Sequence, residues 1–239
     1  MTGIALFDVD GTIIRAGDPD HRAAFDAALA RVYGVPATLD GIPLGGMIDR
    51  AIARLALAPH DLGDEVVEAG LADLVEAMGA AYRAAVTEGA RRSWLLPGVE
   101  DAARRLRAEG VTTGVLTGGC RPVVEAKLAA AGVADLFGAG AYGDQADERA
   151  ALVPLAVAAL GGGAGTPVVV VGDTPLDVEA AHTAGVPCLA VATGRWSVDE
   201  LAACGADAVV PDLADPRAVP AVLGLLRTRP AGSPARPPR

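Results

Sequence analysis

The chain is poor in lysine, in aromatic residues and in basic charge, and these shortages exclude several classes of protein. Lys127 is the only lysine, and 30 acidic residues outnumber 20 basic ones, for a formal net charge of −10. Such a charge argues against nucleic acid or an anionic membrane as the partner. No stretch is long and apolar enough to predict a membrane-spanning helix, and no leader-like segment precedes the first apolar run.

Cysteine is also scarce. The three cysteines form neither a closely spaced metal-binding pair nor an even disulfide framework. Reduced thiols predict a cytoplasmic location. The apolar fraction, by contrast, is 51% of 239 residues, which suffices for a folded core. Length and composition therefore predict either one domain with a sizeable insertion or two small domains.

Short apolar runs alternate with amphipathic stretches along most of the chain. Continuous apolar runs are typical of parallel strands that are buried on both faces. Strands are predicted at residues 3–7, 111–116, 139–142, 167–171, 186–191 and 207–210. Helices are predicted at residues 98–109, 122–131, 149–160, 176–184 and 198–204. The alternation predicts an α/β fold with a Rossmann-like, doubly wound parallel sheet.

Two segments break this alternation. Residues 15–92 show no convincing strand, which predicts an all-helical subdomain inserted into a core of residues 1–14 and 93–226. Its helical patterns cover residues 21–33, 47–57 and 64–88. Residues 227–239 are rich in proline and arginine and have little to bury, so they are predicted to be disordered.

Two aspartates follow the first predicted strand. Asp8 and Asp10 are two residues apart, so on an extended chain their side chains point the same way. One carboxylate can then attack phosphorus while the other serves the leaving oxygen as a general acid. The same Asp-Gly-Thr sequence also forms plain turns and helix caps, so the pair alone leaves both interpretations open.

Polar residues also end two later strands. Asp173 follows four valines and Asp177 comes one helical turn later, which suits either a metal ligand with a supporting carboxylate or a pair of helix caps. Thr117 and Gly118 offer a hydroxyl and bare amides, which cradle phosphate or simply make a turn. If these strands are neighbours, the carboxylates converge and repel one another. They would then require a hard cation, for which Mg²⁺ is the usual choice beside phosphate.

The three motifs, each placed after a predicted strand, resemble those of the haloacid dehalogenase superfamily of phosphatases. The resemblance is to the phosphoglycolate phosphatase-like branch with a helical cap, and it covers residues 3–212. It implies a Mg²⁺-dependent phosphatase that hydrolyses a small soluble phosphomonoester through an aspartyl-phosphate intermediate. Residues 15–92 match the position of the cap, which closes over the site and selects the substrate. The particular ester and the oligomeric state stay open.

The resemblance also implies roles for residues. Asp8 is the implied nucleophile and Asp10 the general acid and base, while Thr117 and Gly118 bind the phosphoryl group and Asp177 supports the site. The groups implied to hold Mg²⁺ are the side chains of Asp8 and Asp173 and the main-chain carbonyl of Asp10.

The chain departs from the family pattern at the basic residue, commonly a lysine followed by proline, that precedes the last acidic motif. Arg149 stands there without a following proline, and we predict that its guanidinium serves instead. Lys127 lies about ten residues past Thr117 on a helix, at ~1.5 Å per residue, and is interpreted as too distant and exposed. His21 is interpreted as solvated. Arg50 either reaches a substrate anion or lies exposed on the surface.

The same residues bear on the other activities of the superfamily. The presence of Asp10 argues against a dehalogenase, and the absence of lysine from residues 1–126 argues against the phosphonate-cleaving branch. A sugar-phosphate mutase is the enzymatic alternative, because it shares the core and differs in cap residues. A non-catalytic binding protein is the other alternative, against which the four motif aspartates argue.

Overall fold

A computed structural model describes residues 3–227 and contains a six-stranded parallel sheet. Strands β1 to β6 are Gly3–Phe7, Val111–Leu116, Gly140–Ala141, Val168–Gly172, Cys188–Val191 and Ala208–Val210. Their order across the sheet is β3-β2-β1-β4-β5-β6, so the chain winds outward from β1 in both directions. This order confirms the predicted doubly wound, Rossmann-like α/β fold.

The helices of the described residues follow the predicted pattern with one addition. Helices α1 to α9 are Pro19–Tyr33, Asp49–Leu57, Asp64–Ala85, Val99–Ala108, Arg121–Ala131, Arg149–Ala159, Pro175–Thr183, Val198–Ala203 and Ala218–Leu225. The sequence did not predict α9, because its nearly continuous apolar run carries no helical period. Within residues 3–227, every helix is too short or too polar to cross a lipid bilayer.

The sheet is buried on both faces, as its continuous apolar strands predicted. Alternate residues of β1 point to opposite faces, so Phe7 enters one hydrophobic cluster and Leu6 the other. The same alternation in β4 sends Val169 and Val170 to opposite clusters. Burial on both sides leaves the carboxyl ends of the strands as the edge where polar residues gather.

The helical segment, residues 15–92, packs around a second hydrophobic cluster, which it shares with α5. Phe25 of α1 and Leu74 and Met78 of α3 lie in this cluster, together with Val123 of α5. The chain enters and leaves the segment side by side, and the backbone N–H of Arg15 donates to the Trp94 carbonyl at 2.9 Å. The predicted disordered tail, residues 227–239, lies outside the described residues except for its first residue.

Candidate active site

The three central strands carry the predicted motifs to one edge of the sheet. Strand β1 lies between β2 and β4, and Phe7 is in register with Val115 on one side and Val171 on the other. Asp8, Thr117 and Asp173 each follow one of these strands within two residues, and all three are buried. The three strands that carry the motifs are therefore neighbours, as the predicted site requires.

Three buried carboxylates meet at this edge. Oxygen atoms of Asp8, Asp173 and Asp177 all lie within 4.8 Å of one another. Burial raises the pKa of Asp173, and the nearby Asp8 and Asp177 carboxylates raise it further. Burial also raises the pKa of Asp8, although Arg149 opposes the effect. Three carboxylates held this close in a buried site require positive charge to stay ionised together.

The hydrogen bonds divide these carboxylates into two kinds. Asp177 uses both oxygens: Thr174 donates to Oδ2 from its amide at 3.0 Å and its hydroxyl at 2.7 Å, and Arg149 donates to Oδ1 at 2.5 Å. Among the described residues, Asp8 receives one bond, from Arg149 at 2.8 Å, and Asp173 one, from Thr12 at 3.3 Å. Asp177 is thus both a cap of α7 and a partner of Arg149. Asp8 and Asp173 each keep an oxygen for a ligand.

Arg149, the first residue of α6, is the cation of this cluster. Besides the two carboxylates, its guanidinium donates to the Gly46 carbonyl in the helical segment at 3.0 Å. Its Nε is buried and has no hydrogen-bond partner within the described residues. The prediction that Arg149 lies beside Asp8 is consistent with this geometry.

Lys127 is also in the site, and the interpretation of an exposed, distant lysine was wrong. Its side chain is fully buried, and Nζ lies 2.7 and 2.6 Å from the two carboxylate oxygens of Asp10. Helix α5 begins at Arg121, so Lys127 is only about 9 Å along it. A long side chain on a helix points back toward the helix N-terminus, and here that direction leads to the site.

His21 belongs to the same contact, and the expectation that it is solvated was also wrong. Its side chain is 17% exposed, and Nδ1 lies 3.1 Å from Nζ of Lys127. His21 is on α1 and Lys127 on α5, 106 residues apart in the chain. No spacing pattern in a single sequence links residues so distant.

The phosphate-loop candidates lie directly under the helical segment. The backbone N–H of Asp49 donates to the Gly118 carbonyl at 2.8 Å, and Cys120 N–H donates to the Asp49 carboxylate at 2.7 Å. A Cβ at Gly118 would lie 2.0 Å from the Met47 carbonyl, so only glycine fits there. Sequence reasoning missed Asp49, whose place at the start of α2 indicates only a helix N-terminus.

Arg50 does not reach the carboxylate cluster. Its guanidinium contacts Glu68 at 3.0 Å and Asp147 at 3.3 Å, and the side chain is 23% exposed. Of the two interpretations offered for it, this arrangement favours a residue engaged in ion pairs at the surface.

Known proteins resemble this chain in sequence and in fold. Residues 3–185 match the family of haloacid dehalogenase-like hydrolases. A phosphoglycolate phosphatase from Yersinia pseudotuberculosis is 30% identical over 218 residues, 90% of this chain and 91% of the relative. One from Cereibacter sphaeroides is 33% identical over 191 residues, 78% of this chain and 83% of the relative. A CbbY mutant from Rhodobacter sphaeroides, in complex with xylulose-(1,5)bisphosphate, superposes with a TM-score of 0.66 at 26% identity, over 90% of this chain and 96% of that one.

Proposed function

This chain belongs to the haloacid dehalogenase-like hydrolase family, and from that membership we propose a Mg²⁺-dependent phosphatase in which Asp8 is the nucleophile. It is a phosphoric monoester hydrolase that acts on small phosphorylated substrates, as its phosphoglycolate phosphatase relatives do. The observation that carries the proposed mechanism is the buried group of Asp8, Asp173 and Asp177 beside Arg149.

The donor set fits a hard divalent cation. Asp8 and Asp173 each have an oxygen without a hydrogen bond among the described residues, and both carboxylates are destabilised as anions. Oxygen-only donors of this kind favour Mg²⁺ over softer metals. We assign the metal to Asp8, Asp173 and the main-chain carbonyl of Asp10. Asp177 supports the site through its contact with Arg149. When bound, the ion offsets the charge of the carboxylates and of the phosphoryl group.

The reaction then proceeds in two displacements. One carboxylate oxygen of Asp8 attacks phosphorus, the ester P–O bond breaks, and Asp10 gives its proton to the leaving alkoxide. Asp10 next takes a proton from water as that water attacks the phosphoaspartate. The bond between phosphorus and Asp8 breaks, inorganic phosphate leaves, and both carboxylates return to their starting states.

Three residues are assigned to the transferring phosphoryl group. The Thr117 hydroxyl accepts a 3.4 Å hydrogen bond from the Gly119 amide, which leaves its proton free to donate to a phosphoryl oxygen. We assign the Gly118 amide the same task. The Nε of Arg149, which has no hydrogen-bond partner in the part of the chain that the structure describes, is a further donor. Donors prearranged in a buried site stabilise developing charge well.

Residues 15–92 are proposed to act as the cap over a core of residues 1–14 and 93–226. The hydrogen bonds from Asp49 to Gly118 and from Arg149 to Gly46 join the two parts above the strand ends. A cover held so close admits a small metabolite and excludes bulk water. The cysteines are free thiols, in keeping with the cytoplasmic location that we propose.

Phosphate release from a panel of small phosphomonoesters tests the proposal. The panel is assayed with Mg²⁺ and with a chelator, for the native protein, for Asp8→Asn and for a control, Asp101→Asn, on the exposed face of α4. We expect Mg²⁺-dependent release that Asp8→Asn abolishes and the control retains. Substantial turnover by folded Asp8→Asn would overturn the assignment of the nucleophile. No release from any ester would overturn the phosphatase itself.

A further inference from the structure

The single lysine of this chain is buried against one catalytic carboxylate. Lys127 has no exposed surface, and its neighbours on α5 include Val123, Val124 and Leu128, all buried. A buried ammonium is costly unless it is paired and hydrogen-bonded. Here the pairing is with Asp10, through both carboxylate oxygens at 2.6 and 2.7 Å.

The third N–H of the ammonium is directed at the helical segment. An ammonium has three N–H donors and no acceptor, and Asp10 takes two of them. The third is directed at Nδ1 of His21, 3.1 Å away, which therefore accepts and leaves its proton on Nε2. That Nε2 is buried without a hydrogen bond among the described residues and lies 3.8 Å from the Asp49 carboxylate. Lys127 thus connects Asp10 to His21 of the helical segment.

The two proposed catalytic carboxylates have separate cations. Arg149 contacts Asp8, whereas Lys127 contacts Asp10. A protonated carboxyl group still has acceptor lone pairs on its oxygens, so Asp10 can accept the Lys127 N–H groups and also hold the proton that it gives to the leaving oxygen. A contact to both oxygens also fixes the torsion of the Asp10 carboxylate. Without it the carboxylate could rotate, because the side chain is partly exposed.

We propose that Lys127 is a positioning residue, which orients Asp10 toward the leaving oxygen and couples that orientation to His21 and the seated helical segment. This inference rests on the proposed function, because it requires Asp10 to act as the general acid. Proton delivery matters most when the leaving oxygen is strongly basic. The effect of losing Lys127 should therefore depend on the leaving group.

The primary variant is Lys127→Met, which keeps the length and removes the ammonium. Single-turnover release is measured with enzyme in excess, for the best alkyl phosphate of the panel and for p-nitrophenyl phosphate. Because general acid catalysis contributes about 10²- to 10⁴-fold, we expect a loss on the order of 100-fold with the alkyl ester. The p-nitrophenolate ion leaves without a proton, so its release should change far less. Equal losses with both esters would overturn the proposal.

A double-mutant cycle with Asp10→Asn separates positioning from a general structural effect. If Lys127 acts through Asp10, Lys127→Met should have little further effect in the Asp10→Asn background. Losses that multiply in the double variant would overturn the proposal. Arg121→Met, which removes an exposed cation from the same helix, is the matched control and should retain native rates with both esters.

A second substitution keeps the proposal testable if Lys127→Met does not fold. Lys127→Arg retains a cation beside Asp10, and its thermal unfolding is measured first. We expect it to retain more activity toward the alkyl ester than Lys127→Gln, with similar KM values for both. Equal activity of these two variants would overturn the proposal. Failure of the native protein on every ester would instead count against the proposed function.

Discussion

The group of Asp8 and Asp173 at the strand ends and the group formed by Asp18 with its donors differ in the direction in which the pKa of the aspartates is shifted. At the strand ends, burial and neighbouring carboxylates raise the pKa of Asp8 and Asp173. At the start of the helical segment, burial acts on Asp18 in the same sense. There, however, hydrogen bonds from Arg91 and Tyr82 outweigh it and lower the pKa to about 2.

The contrast lies in the donors that the chain provides. Asp18 receives bonds from Arg91 at 2.9 and 3.1 Å and from the Tyr82 hydroxyl at 2.6 Å, so its charge is satisfied within the protein. Within residues 3–227, Asp8 and Asp173 each receive one hydrogen bond. A buried carboxylate that is surrounded by donors stabilises the fold, whereas one that lacks them requires a ligand. The Asp18 group is therefore structural, whereas Asp8 and Asp173 are suited to bind a ligand.

Removing the cation of the satisfied group should give the largest change. Arg91→Met leaves Asp18 buried with the Tyr82 hydroxyl but without the guanidinium, and breaking a buried ion pair from one side costs about 3–5 kcal/mol. The free energy of unfolding in urea measures the loss. The matched control is Arg92→Met, the next residue, whose side chain is 53% exposed and pairs with Glu100. It should cost less than about 1 kcal/mol. Equal losses would remove the distinction between the two kinds of pair.

Removing a carboxylate from the strand-end group should act in the opposite sense on stability. Asp173→Asn deletes one of the repelling buried charges, so the metal-free variant should unfold at a higher temperature than the metal-free native protein. Its turnover should fall by about 10²- to 10³-fold, because the preorganised electrostatics of the site are lost. Thermal unfolding with and without Mg²⁺ measures both states. A metal-free variant that is less stable than the native protein would contradict this interpretation.

The strand-end group could be predicted from the sequence, and the Asp18 group could not. Continuous apolar runs that end in polar residues predict strands, and parallel strands bring those residues to one edge. Asp18 is 73 residues from Arg91 and 64 residues from Tyr82, and these three residues meet only in the packed structure. No local pattern in one sequence carries that information.

Lys127 lies between these two cases. Its position on a helix was predicted, and so was the start of that helix beside the phosphate loop. The error came from counting rise along the axis and ignoring the direction of the side chain, which points back toward the helix N-terminus. The sequence also did not show that the helical segment buries Lys127, which follows from the packing of α3 against α5. A unique lysine in an arginine-rich chain was the available signal.

The opposite pKa shifts predict opposite pH dependences. Asp18 has a pKa of about 2 in the folded protein and 3.8 in the unfolded chain. It therefore contributes about 2 kcal/mol to the free energy of unfolding above pH ~4, and this contribution is lost as the pH falls toward 2. The raised pKa values of Asp8 and Asp173 mean that the metal-free protein loses stability as the pH rises above ~4.

Unfolding free energies at pH 5 and pH 2.5, for the native protein and Asp18→Asn, isolate the first effect. We expect the stability advantage of the native protein over the variant to shrink by about 2 kcal/mol at the lower pH. An advantage that does not change with pH would mean that Asp18 titrates alike in the folded and unfolded chain.

The loss of stability that the raised pKa values of Asp8 and Asp173 predict is measured with Asp173→Asn between pH 5 and pH 8 in chelator. Over this range the variant should lose less stability than the native protein.

The smallest effect is expected where an arginine pairs with aspartate in water. Arg54 contacts Asp147 at 2.9 Å and also pairs with Glu68, but the side chains of Arg54 and Asp147 are 37% and 61% exposed. Exposed pairs contribute about 0.2–1 kcal/mol and are screened by salt, so Arg54→Ala should change stability by less than about 1 kcal/mol, and by still less in 1 M salt. Unfolding in urea at low and high salt measures both. A loss as large as that of Arg91→Met would mean that partner count, rather than burial, decides what these ion pairs contribute.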